Sequence, residues 1–264
     1  MKVLVTGASR GIGYEISKEL LESNHNVVMH CNHNKKALEG LQKKHANKSH
    51  IVTADLSNLK EIKELINITI NKFDFPDAII NNAGIAESSY INIAIEEWSN
   101  LYDRTININL KAPSLLCKEF IMIKREKEIK SKFRIINIAS RAAFRGEEED
   151  FISYACSKGG MISLTKTLSR SFGKRDNVIP FSIAPGFVKT EMAKSFIDQH
   201  GEGMASKGIV LGELTEPKDI APLVNFIVSG KMDHCVGSTI DVNGGSYLRS
   251  VSYTHLRAHE TRHY

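Results

Sequence analysis

The sequence Tyr-Ala-Cys-Ser-Lys at 154–158 places a phenol and an ammonium group four residues apart. On a helix, that spacing brings both side chains to one face. An ordinary tyrosine has a pKa of about 10, and lowering it to about 7 needs roughly 4 kcal/mol of preferential phenolate stabilisation. A cation about 4 Å away at an effective dielectric near 20 supplies on the order of 4 kcal/mol. We therefore predict that Tyr154 is a general acid and base tuned by Lys158, with an ordinary surface pair as the alternative.

Two further polar residues are candidates to act beside this pair. Ser140 follows the apolar run 134–138, and active groups in open α/β sheets gather beyond the carboxyl ends of strands. Its hydroxyl could hold a carbonyl oxygen beside Tyr154, or it could serve only as a turn residue. Asn109 lies in an otherwise apolar helical stretch, where an amide needs hydrogen-bond partners. It could hold a water that reprotonates Lys158, or it could be a satisfied core amide.

A glycine-rich turn near the N-terminus is a candidate phosphate site. Residues 6–13 read Thr-Gly-Ala-Ser-Arg-Gly-Ile-Gly and join an apolar run to a helical pattern. Glycines let the backbone approach a pyrophosphate, whose charge then meets the exposed N–H groups of a helix N-terminus. The Gly-x-x-x-Gly-x-Gly spacing differs from the more familiar Gly-x-Gly-x-x-Gly fingerprint. The predicted cofactor contacts in this turn are Thr6, Gly7, Ser9, Arg10, Gly11, Ile12 and Gly13.

The residues after the second apolar run bear on the choice between two nicotinamide cofactors. A carboxylate there would accept a hydrogen bond from a ribose 2′-hydroxyl and would repel a 2′-phosphate. Residues 30–36 read His-Cys-Asn-His-Asn-Lys-Lys, and the first acid is Glu39. Arg10 can face the same ribose, and a guanidinium can bind phosphate through two hydrogen bonds. We therefore predict NADP(H) rather than NAD(H); in the alternative, Arg10 is a solvated turn residue.

Two more turns follow apolar runs and are candidates for the rest of the cofactor site. Asp55 could accept a hydrogen bond from the adenine amino group, or it could cap the helix predicted at 59–71. The sequence Asn-Asn-Ala-Gly at 81–84 could bridge neighbouring strands and line the cofactor floor, although alone it indicates only a turn. A glycine at 84 would leave room for the ribose. The predicted contacts in these turns are Asp55, Leu56, Asn82, Ala83 and Gly84.

Alternating strands and helices must position all of these residues. Near-continuous apolar runs predict strands that are covered on both faces, and they lie at 3–5, 26–29, 50–52, 78–80, 134–138 and 178–183. Amphipathic stretches predict helices at 13–23, 59–71 and 157–172. The alternation predicts an α/β fold: a doubly wound, parallel sheet of the Rossmann type with right-handed crossovers, in a single domain.

Composition narrows the class of protein. Of the 264 residues, 42% are hydrophobic and 25% are charged, a balance that excludes a disordered chain. No apolar run approaches the ~18 residues of a membrane span, and no signal peptide is evident, so we expect a cytoplasmic protein. The formal charge of +5 is spread along the chain, which argues against nucleic-acid binding. The four cysteines lie far apart and predict buried free thiols rather than disulfides or zinc.

Taken in order, these motifs resemble the short-chain dehydrogenase/reductase family over about residues 1–248. The resemblance implies a catalytic tetrad of Asn109, Ser140, Tyr154 and Lys158. It also implies nicotinamide contacts from the segment 185–190, with Thr190 near the carboxamide, and a short helical substrate lid over 192–214. The implied contacts in that segment are Pro185, Gly186, Val188 and Thr190. Members of the family commonly form homotetramers or dimers.

Within the family, the glycine turn, the stretch 184–192 and the ending Val-Asn-Gly-Gly at 242–245 resemble 3-oxoacyl-(acyl-carrier-protein) reductases. This resemblance implies NADPH-dependent reduction of a 3-oxoacyl thioester, on acyl carrier protein or coenzyme A, in fatty acid biosynthesis. Carrier docking would use Arg175 and the basic residues at 130, 132 and 134. The acidic run at 147–150 departs from the pattern, because it would repel an anionic carrier.

Two alternatives remain open at this point. The substrate could be another small ketone, a sugar or a secondary alcohol. A different class of protein, a catalytically silent dinucleotide-binding regulator, would lack at least one tetrad residue, yet all four residue types are present.

The C-terminal segment 249–264 is predicted to be an appended, disordered tail outside the domain. It has little apolar periodicity and contains three of the ten histidines. His255, His259 and His263 have the spacing of one helical face, which could bind a metal. A mobile tail is the simpler interpretation, so we predict no metal site.

Overall fold

A computed structural model describes residues 1–249, apart from the side chains of Ser195, Phe196, Gln199 and His200. Its centre is a sheet of seven parallel strands in the order β3-β2-β1-β4-β5-β6-β7. The strands are β1 (Lys2–Val5), β2 (Asn26–Cys31), β3 (Ser49–Thr53), β4 (Ala78–Asn81), β5 (Phe133–Ile138), β6 (Val178–Pro185) and β7 (Thr239–Val242). Of the predicted tail 249–264, residues 250–264 lie outside the described residues, and Arg249 is bound to Asp241 and to the carbonyl oxygen of Thr239 in β7.

Helices cover both faces of this sheet. They are α1 (Gly11–Glu22), α2 (Lys36–Lys44), α3 (Leu59–Phe73), α4 (Ile95–Ile106), α5 (Ala112–Glu126), α6 (Ala142–Arg145), α7 (Ile152–Asp176), α8 (Glu191–His200), α9 (Glu202–Ser206) and α10 (Pro217–Val228). Within residues 1–249, no helix combines the length and the apolar character that crossing a membrane requires. The thiols of the four cysteines are free, but only Cys31 and Cys117 are buried; Cys156 and Cys235 are exposed, contrary to the prediction.

The core is split by the sheet into two apolar layers, which is the arrangement of a doubly wound fold. In β1, Val3 and Val5 face α1, α2 and α10, whereas Leu4 faces α3, α5 and α7. Successive strand residues point to opposite faces, so a strand buried on both sides needs an unbroken apolar run. This requirement explains why six strands could be located from sequence. The seventh, β7, contains Asp241 and is only partly buried, so it shows no such run.

The strand order creates a crevice at the carboxyl ends of β1 and β4. The chain leaves β1 toward β2 and β3 on one side, and it later continues from β4 toward β7 on the other. Neighbouring connections therefore diverge between β1 and β4, and ligands of open α/β sheets bind at such a point. The motifs at 6–13 and 81–84 follow these two strands, and Ser140 follows the adjacent β5.

A widened turn interrupts the long helix that passes beside this crevice. Residues Asn107–Lys111 form a π-helical turn between α4 and α5. Such a turn carries one extra residue and is frequent at functional sites. It lies where the sequence predicted only a regular helix, and it turns Asn109 into the interior, where 1% of the residue is exposed.

A chain of buried hydrogen bonds holds the strands together below the crevice. Asn81 donates from Nδ2 to Oδ1 of Asn137 at 2.8 Å, and Asn137 donates to Oγ1 of Thr165 at 2.8 Å. The Thr165 hydroxyl is in turn 2.9 Å from the hydroxyl of Ser182. These contacts connect β4, β5, α7 and β6, and they bear out the prediction that an amide of the 81–84 motif bridges neighbouring strands.

Candidate active site

The glycine turn after β1 lies directly against the end of β4. Gly7 has a φ of +67°, and a Cβ built on it would lie 2.8 Å from the Cα of Ala83. A Cβ on Gly13 would lie 2.2 Å from the carbonyl oxygen of Gly7 and 2.4 Å from Nδ2 of Asn82. All three distances are shorter than real contacts of Cβ atoms, so only glycine fits at these positions. The turn is therefore close-packed on the protein side, and its other side faces the crevice.

Thr6 and Asn82 use their side chains to hold this turn. The Thr6 hydroxyl accepts hydrogen bonds from the backbone N–H of Asn82 at 3.0 Å and of Ala83 at 3.1 Å. Asn82 donates from Nδ2 to the carbonyl oxygens of Thr6 at 2.9 Å and of Gly7 at 3.1 Å. Both residues were predicted to contact the cofactor. In the structure these polar groups are engaged within the protein, so their contribution is to position the turn.

The N-terminus of α1 fits the phosphates of a dinucleotide. Arg10 occupies the N-cap position in an extended conformation and makes no side-chain capping bond. The first N–H groups of the helix therefore remain available at its positive end. A cavity of about 480 Å³ begins at Gly11 and Tyr14 and extends to Lys189 and Thr190. The uncapped helix end and the adjoining cavity are what pyrophosphate binding requires.

The segment after β6 closes the opposite side of this cavity. The backbone N–H of Gly186 donates to the carbonyl oxygen of Val242 at 2.9 Å, and a Cβ at this glycine would lie 2.8 Å from the Cα of Asn243. Thr190 approaches the glycine turn, because its Cγ2 would lie 3.2 Å from a Cβ on Gly11. The two halves of the predicted cofactor site, far apart in sequence, are thus adjacent in the fold.

In the turn after β3, Asp55 does not cap α3, which was one of its two possible roles. Its carboxylate accepts hydrogen bonds from the backbone N–H and from the hydroxyl of Ser57, both at 2.8 Å. The Ser57 N–H is the main cause that lowers the pKa of Asp55. Asn58, rather than Asp55, caps α3 by accepting from the N–H of Lys60. The side chain of Leu56 is buried in the core, so only its backbone can face a cofactor.

His30 is a buried residue of this region whose role the sequence did not reveal. It lies at the end of β2, and 2% of the residue is exposed. Its ring is 3.2 Å from the N–H of Gly7 at one nitrogen and 2.9 Å from the carbonyl oxygen of Ala54 at the other. The available signal was a polar residue inside an otherwise apolar strand. From the sequence, residues 30–36 bear only on the choice of cofactor, because they contain no acid.

The structure brings Ser140, Tyr154 and Lys158 together at the start of α7. The Ser140 side chain acts on the Tyr154 phenol by lowering its pKa, and its hydroxyl accepts a hydrogen bond from the N–H of Ala142 at 3.1 Å. Lys158 has 4% of its surface exposed, and its ammonium donates to the carbonyl oxygen of Ile138 at 2.9 Å. The Lys158 nitrogen lies 5.6 Å from the centre of the Tyr154 ring. A serine hydroxyl, a phenol and a buried amine therefore converge at the end of β5.

Burial dominates the electrostatics of these groups. Burial raises the pKa of Tyr154, and Glu147 acts in the same direction. The hydrogen bond from Ser140 and the charge of Arg141 oppose this rise in the pKa of Tyr154. Burial also lowers the pKa of Lys158 to about 8. The expectation that Lys158 brings the pKa of Tyr154 down to about 7 is thus not met by the residues of the chain alone.

Asn109 is a fully bonded core amide. Its Oδ1 accepts from the N–H of Ile85 and its Nδ2 donates to the carbonyl oxygen of the same residue, both at 2.8 Å. Nδ2 also donates to the hydroxyl of Ser157 at 3.1 Å. A Cβ built on Gly84 would lie 3.3 Å from Oδ1 of Asn109 and 3.5 Å from Nζ of Lys158. Asn109 therefore fixes the segment after β4 beside the amine, and Gly84 keeps the space between them open.

The segment after β6 forms a helical flap over the site. It contains α8 and α9, which pack around a small apolar cluster of Ala205, Ile209 and Leu214 that is separate from the two core layers. Lys189 binds Glu202 at 2.9 Å and so joins the segment 185–190 to α9. This arrangement agrees with the short helical lid that the resemblance implied.

Most of the basic residues implied in carrier docking are engaged with aspartates. Arg134 is 7% exposed and donates to both carboxylate oxygens of Asp233 at 2.8 Å, and Lys132 binds the same carboxylate at 2.9 Å. Arg175 is 3.0 Å from Asp176, whose pKa is lowered to about 2, chiefly by its hydrogen bond to Arg125. These pairs neutralise much of the positive charge that a carrier protein would meet.

The sequence matches a protein-family model described as short chain dehydrogenase over residues 1–201. The chain belongs to the short-chain dehydrogenase family, whose members are oxidoreductases that bind a nicotinamide dinucleotide. A 3-oxoacyl-(acyl-carrier-protein) reductase FabG from Staphylococcus epidermidis is 32% identical over 250 residues, which is 93% of this chain and 98% of that protein. The FabG of Rickettsia prowazekii is 33% identical over 246 residues, with 93% and 96% of the chains covered.

Two solved structures support the same fold. A 4-hydroxyisoleucine dehydrogenase complexed with NADH has a TM-score of 0.83 at 28% identity and covers 95% of this chain and 100% of its own. A 3-ketoacyl-(acyl-carrier-protein) reductase from Brucella melitensis, complexed with NADH, has a TM-score of 0.82 at 24% identity, over 93% and 98% of the two chains. The predictions of a doubly wound Rossmann-type sheet and of the family are confirmed.

Within residues 1–249, no group of three or more histidine, cysteine or acidic side chains could hold a metal ion. The site described above is therefore built from hydroxyl, amide and ammonium groups and from backbone N–H groups.

The contact distances around Gly13 lead to a first expectation. Gly13→Ala should lower the free energy of unfolding by about 1–3 kcal/mol or more and should abolish cofactor binding, because the new methyl group collides with the carbonyl of Gly7. Gly40→Ala is a matched control, since Gly40 lies in α2 with no atom within 4 Å of its Cβ position. It should stabilise the protein by about 0.5–1 kcal/mol. Urea unfolding and dinucleotide titration measure both effects; similar behaviour of the two variants would contradict the packing argument.

Proposed function

We propose that this protein reduces a carbonyl to a secondary alcohol by hydride transfer from NADPH. The observation that carries the proposal is the convergence of Ser140, Tyr154 and Lys158 at the end of β5, on the same edge of the sheet as the uncapped N-terminus of α1. The leading substrate is a 3-oxoacyl thioester, carried by acyl carrier protein or coenzyme A. The FabG relatives at 32–33% identity support this substrate, which would give the protein a role in fatty acid biosynthesis.

The proposed division of labour follows from the geometry. Ser140 holds the substrate oxygen next to the Tyr154 phenol, whose pKa its side chain already lowers. Tyr154 donates its proton to that oxygen, and in the reverse direction it accepts the proton. Lys158, whose pKa is about 8, is mostly protonated at neutral pH and supplies a positive charge beside the phenol. When bound, the nicotinamide supplies the hydride.

The raised pKa of Tyr154 suits the reduction direction, in which the phenol must donate a proton. Because burial raises this pKa, the phenol keeps its proton at neutral pH and is ready to act as an acid. For the reverse reaction, phenolate formation would be favoured by the charges of Lys158 and Arg141 and by the Ser140 hydroxyl. The buried amide of Asn109 supports this arrangement by fixing Ile85 and Ser157 on two sides of Lys158.

Removal of the phenolic oxygen tests the reaction. Tyr154→Phe should lower kcat by about 100- to 10,000-fold, the usual worth of a general acid, while dinucleotide affinity stays within about twofold. Tyr90→Phe is the matched control, because Tyr90 is exposed in the segment before α4 and should have no effect. Turnover by the Tyr154 variant at the wild-type rate would refute the mechanism.

The choice of NADP(H) rests on charge. The segment after β2 contains Lys35 and Lys36 but no acid, and Arg10 is exposed at the N-cap of α1. A 2′-phosphate would meet only cations there, whereas a ribose 2′-hydroxyl would find no carboxylate to accept its hydrogen bond. The two structural neighbours described above carry NADH, so this preference needs its own measurement.

Arg10→Ala should weaken NADPH binding about tenfold and leave NADH binding unchanged, because a charge-assisted hydrogen bond to a phosphate is lost. Lys18→Ala serves as the control, since Lys18 lies on α1 and pairs with Glu15 at 3.3 Å. Dissociation constants for both cofactors, at one ionic strength, give the ratio directly. A wild-type preference for NADH would reverse the assignment.

A second candidate substrate is a small oxo acid or hydroxy acid. Arg141 directly follows Ser140, is partly buried, and its charge acts on the Tyr154 phenol. A cation at this position could hold a carboxylate near the reacting carbonyl. The neighbour that is a 4-hydroxyisoleucine dehydrogenase supports this second candidate, as does the neutralised charge at Arg134 and Arg175.

A substrate panel decides between the two candidates. NADPH oxidation should be fastest with an acetoacetyl thioester, compared with short oxo acids, sugars, steroids and simple ketones. Arg141→Gln should then change kcat/KM for the thioester by less than about threefold. Arg170→Gln is the control, because Arg170 is exposed toward the far end of α7. Activity confined to oxo acids, lost only in the Arg141 variant, would replace the thioester by the second candidate.

We also propose assembly as a homotetramer or dimer through the helices that carry Asn109 and Tyr154. On this side of the molecule, Ile95 at the start of α4 is exposed, and so are Tyr90 and Ile91 in the segment before it. Trp98 and Tyr102 stack on the same helix with ring centres 5.2 Å apart.

A further inference from the structure

We propose that His30 is a positioning residue for the adenosine half of the dinucleotide, and that it acts by linking the glycine turn to the turn after β3. The inference concerns cofactor binding and does not depend on which carbonyl the protein reduces. It rests on the hydrogen bonds of one buried imidazole that joins three segments of the site.

The first link runs from His30 to the glycine turn. The N–H of Gly7 donates to Nδ1 of His30 at 3.2 Å, and the N–H of Ala8 donates to the His30 carbonyl oxygen at 2.7 Å. Two successive N–H groups of the turn are thus bound by one residue of β2. Gly7 has a φ of +67°, so its peptide groups have an orientation that an ordinary extended strand would not give. His30 holds that orientation from below.

The second link runs from His30 to the turn after β3. Nε2 of the imidazole lies 2.9 Å from the carbonyl oxygen of Ala54, the residue before Asp55. In folds of this type the pyrophosphate lies on the turn after the first strand and the adenosine ribose lies at the end of the second. His30 therefore connects the surface beneath the pyrophosphate with the turn that presents Asp55.

These contacts require one protonation state and one tautomer. Nδ1 must accept from Gly7 and Nε2 must donate to Ala54, so the ring is neutral with its hydrogen on Nε2. Burial lowers the pKa of His30, which favours that neutral form at physiological pH. Both ring nitrogens have partners within the protein, so the residue acts on the cofactor through the two turns and not by touching it.

The alternative role is that of a core filler that merely occupies volume under the sheet edge. Val28, two residues earlier on the same face of β2, is fully buried and packs there without polar groups. A buried polar side chain is costly unless its hydrogen bonds are made, so an apolar residue would serve a filler equally well. The two roles make different demands on the individual nitrogens of the ring.

Two amide variants separate the nitrogens. In His30→Asn the amide oxygen can take the position of Nδ1 and still accept from Gly7, but the link to Ala54 is lost. In His30→Gln the longer side chain can place its amide nitrogen near the position of Nε2 and donate to Ala54, but the acceptor for Gly7 is lost. His50→Asn is the matched control, because His50 lies on the neighbouring β3 and is only partly buried.

The dissociation constants of NADPH and NADH are measured by titration without any carbonyl substrate. His30→Gln and His30→Asn should each weaken both cofactors about 3- to 10-fold, because each loses one of the two hydrogen bonds, while His50→Asn stays within about twofold of the wild type. In the protein without cofactor, hydrogen exchange at the Gly7 and Ala8 amides should accelerate only in His30→Gln. At saturating cofactor, kcat should change less than about twofold in either variant.

Three outcomes would overturn the proposal: either variant binding both cofactors like the wild type, no difference between the two variants in Gly7 exchange, or a fall in kcat at unchanged cofactor affinity. Circular dichroism and thermal unfolding check that both variants are folded. The titration needs no turnover, so its result does not depend on the proposed function. A protein that reduces none of the tested carbonyls would refute the proposed function, whereas only the binding and exchange data test this inference.

Discussion

The close approach of the glycine turn to the end of β4 is the constraint on which the rest of the site depends. At Gly7 and Gly13 there is no space for even one added carbon, because the backbone of Ala83 and the amide of Asn82 occupy it. Interiors packed this tightly transmit small displacements instead of absorbing them. The path of the turn, the start of α1 and therefore the direction of its first N–H groups are all determined by this contact.

Hydrogen bonds from neighbouring strands also hold the glycine turn in place. Thr6 and Asn82 hold the turn from β1 and β4, and His30 holds it from β2. Three strands thus contribute polar side chains that point toward protein instead of toward ligand. An unpaired polar group in the interior would cost free energy. These side chains therefore favour the one backbone path of the turn in which their hydrogen bonds are made. The cofactor-facing surface is then made largely of backbone and glycine, which suits the binding of a charged, extended molecule.

At the chemical end of the site, burial and charge act against each other. The amine of Lys158 is almost completely enclosed and its pKa falls to about 8, while the same enclosure raises the pKa of Tyr154. The amine keeps one firm partner, the carbonyl of Ile138, at the end of β5. A positive charge held in this way does little to ionise the phenol by itself, but it remains close to the position where charge develops during proton transfer. Glu147 raises and Arg141 lowers the pKa of the same phenol, so the loop after Ser140 adjusts the acidity of Tyr154.

Amino-acid order alone was sufficient to locate six strands, three of the helices and the residue types of the site, because strands buried on both faces need unbroken apolar runs and glycine turns have few substitutes. It could not reveal β7, whose partly exposed residues follow no run, or the π-helical turn that directs Asn109 inward. Nor could it show that Asn58 rather than Asp55 caps α3, or that His30 joins two turns. Those features depend on which distant groups meet in space, and on how burial changes their charge, so they were decided only when the strands assembled side by side.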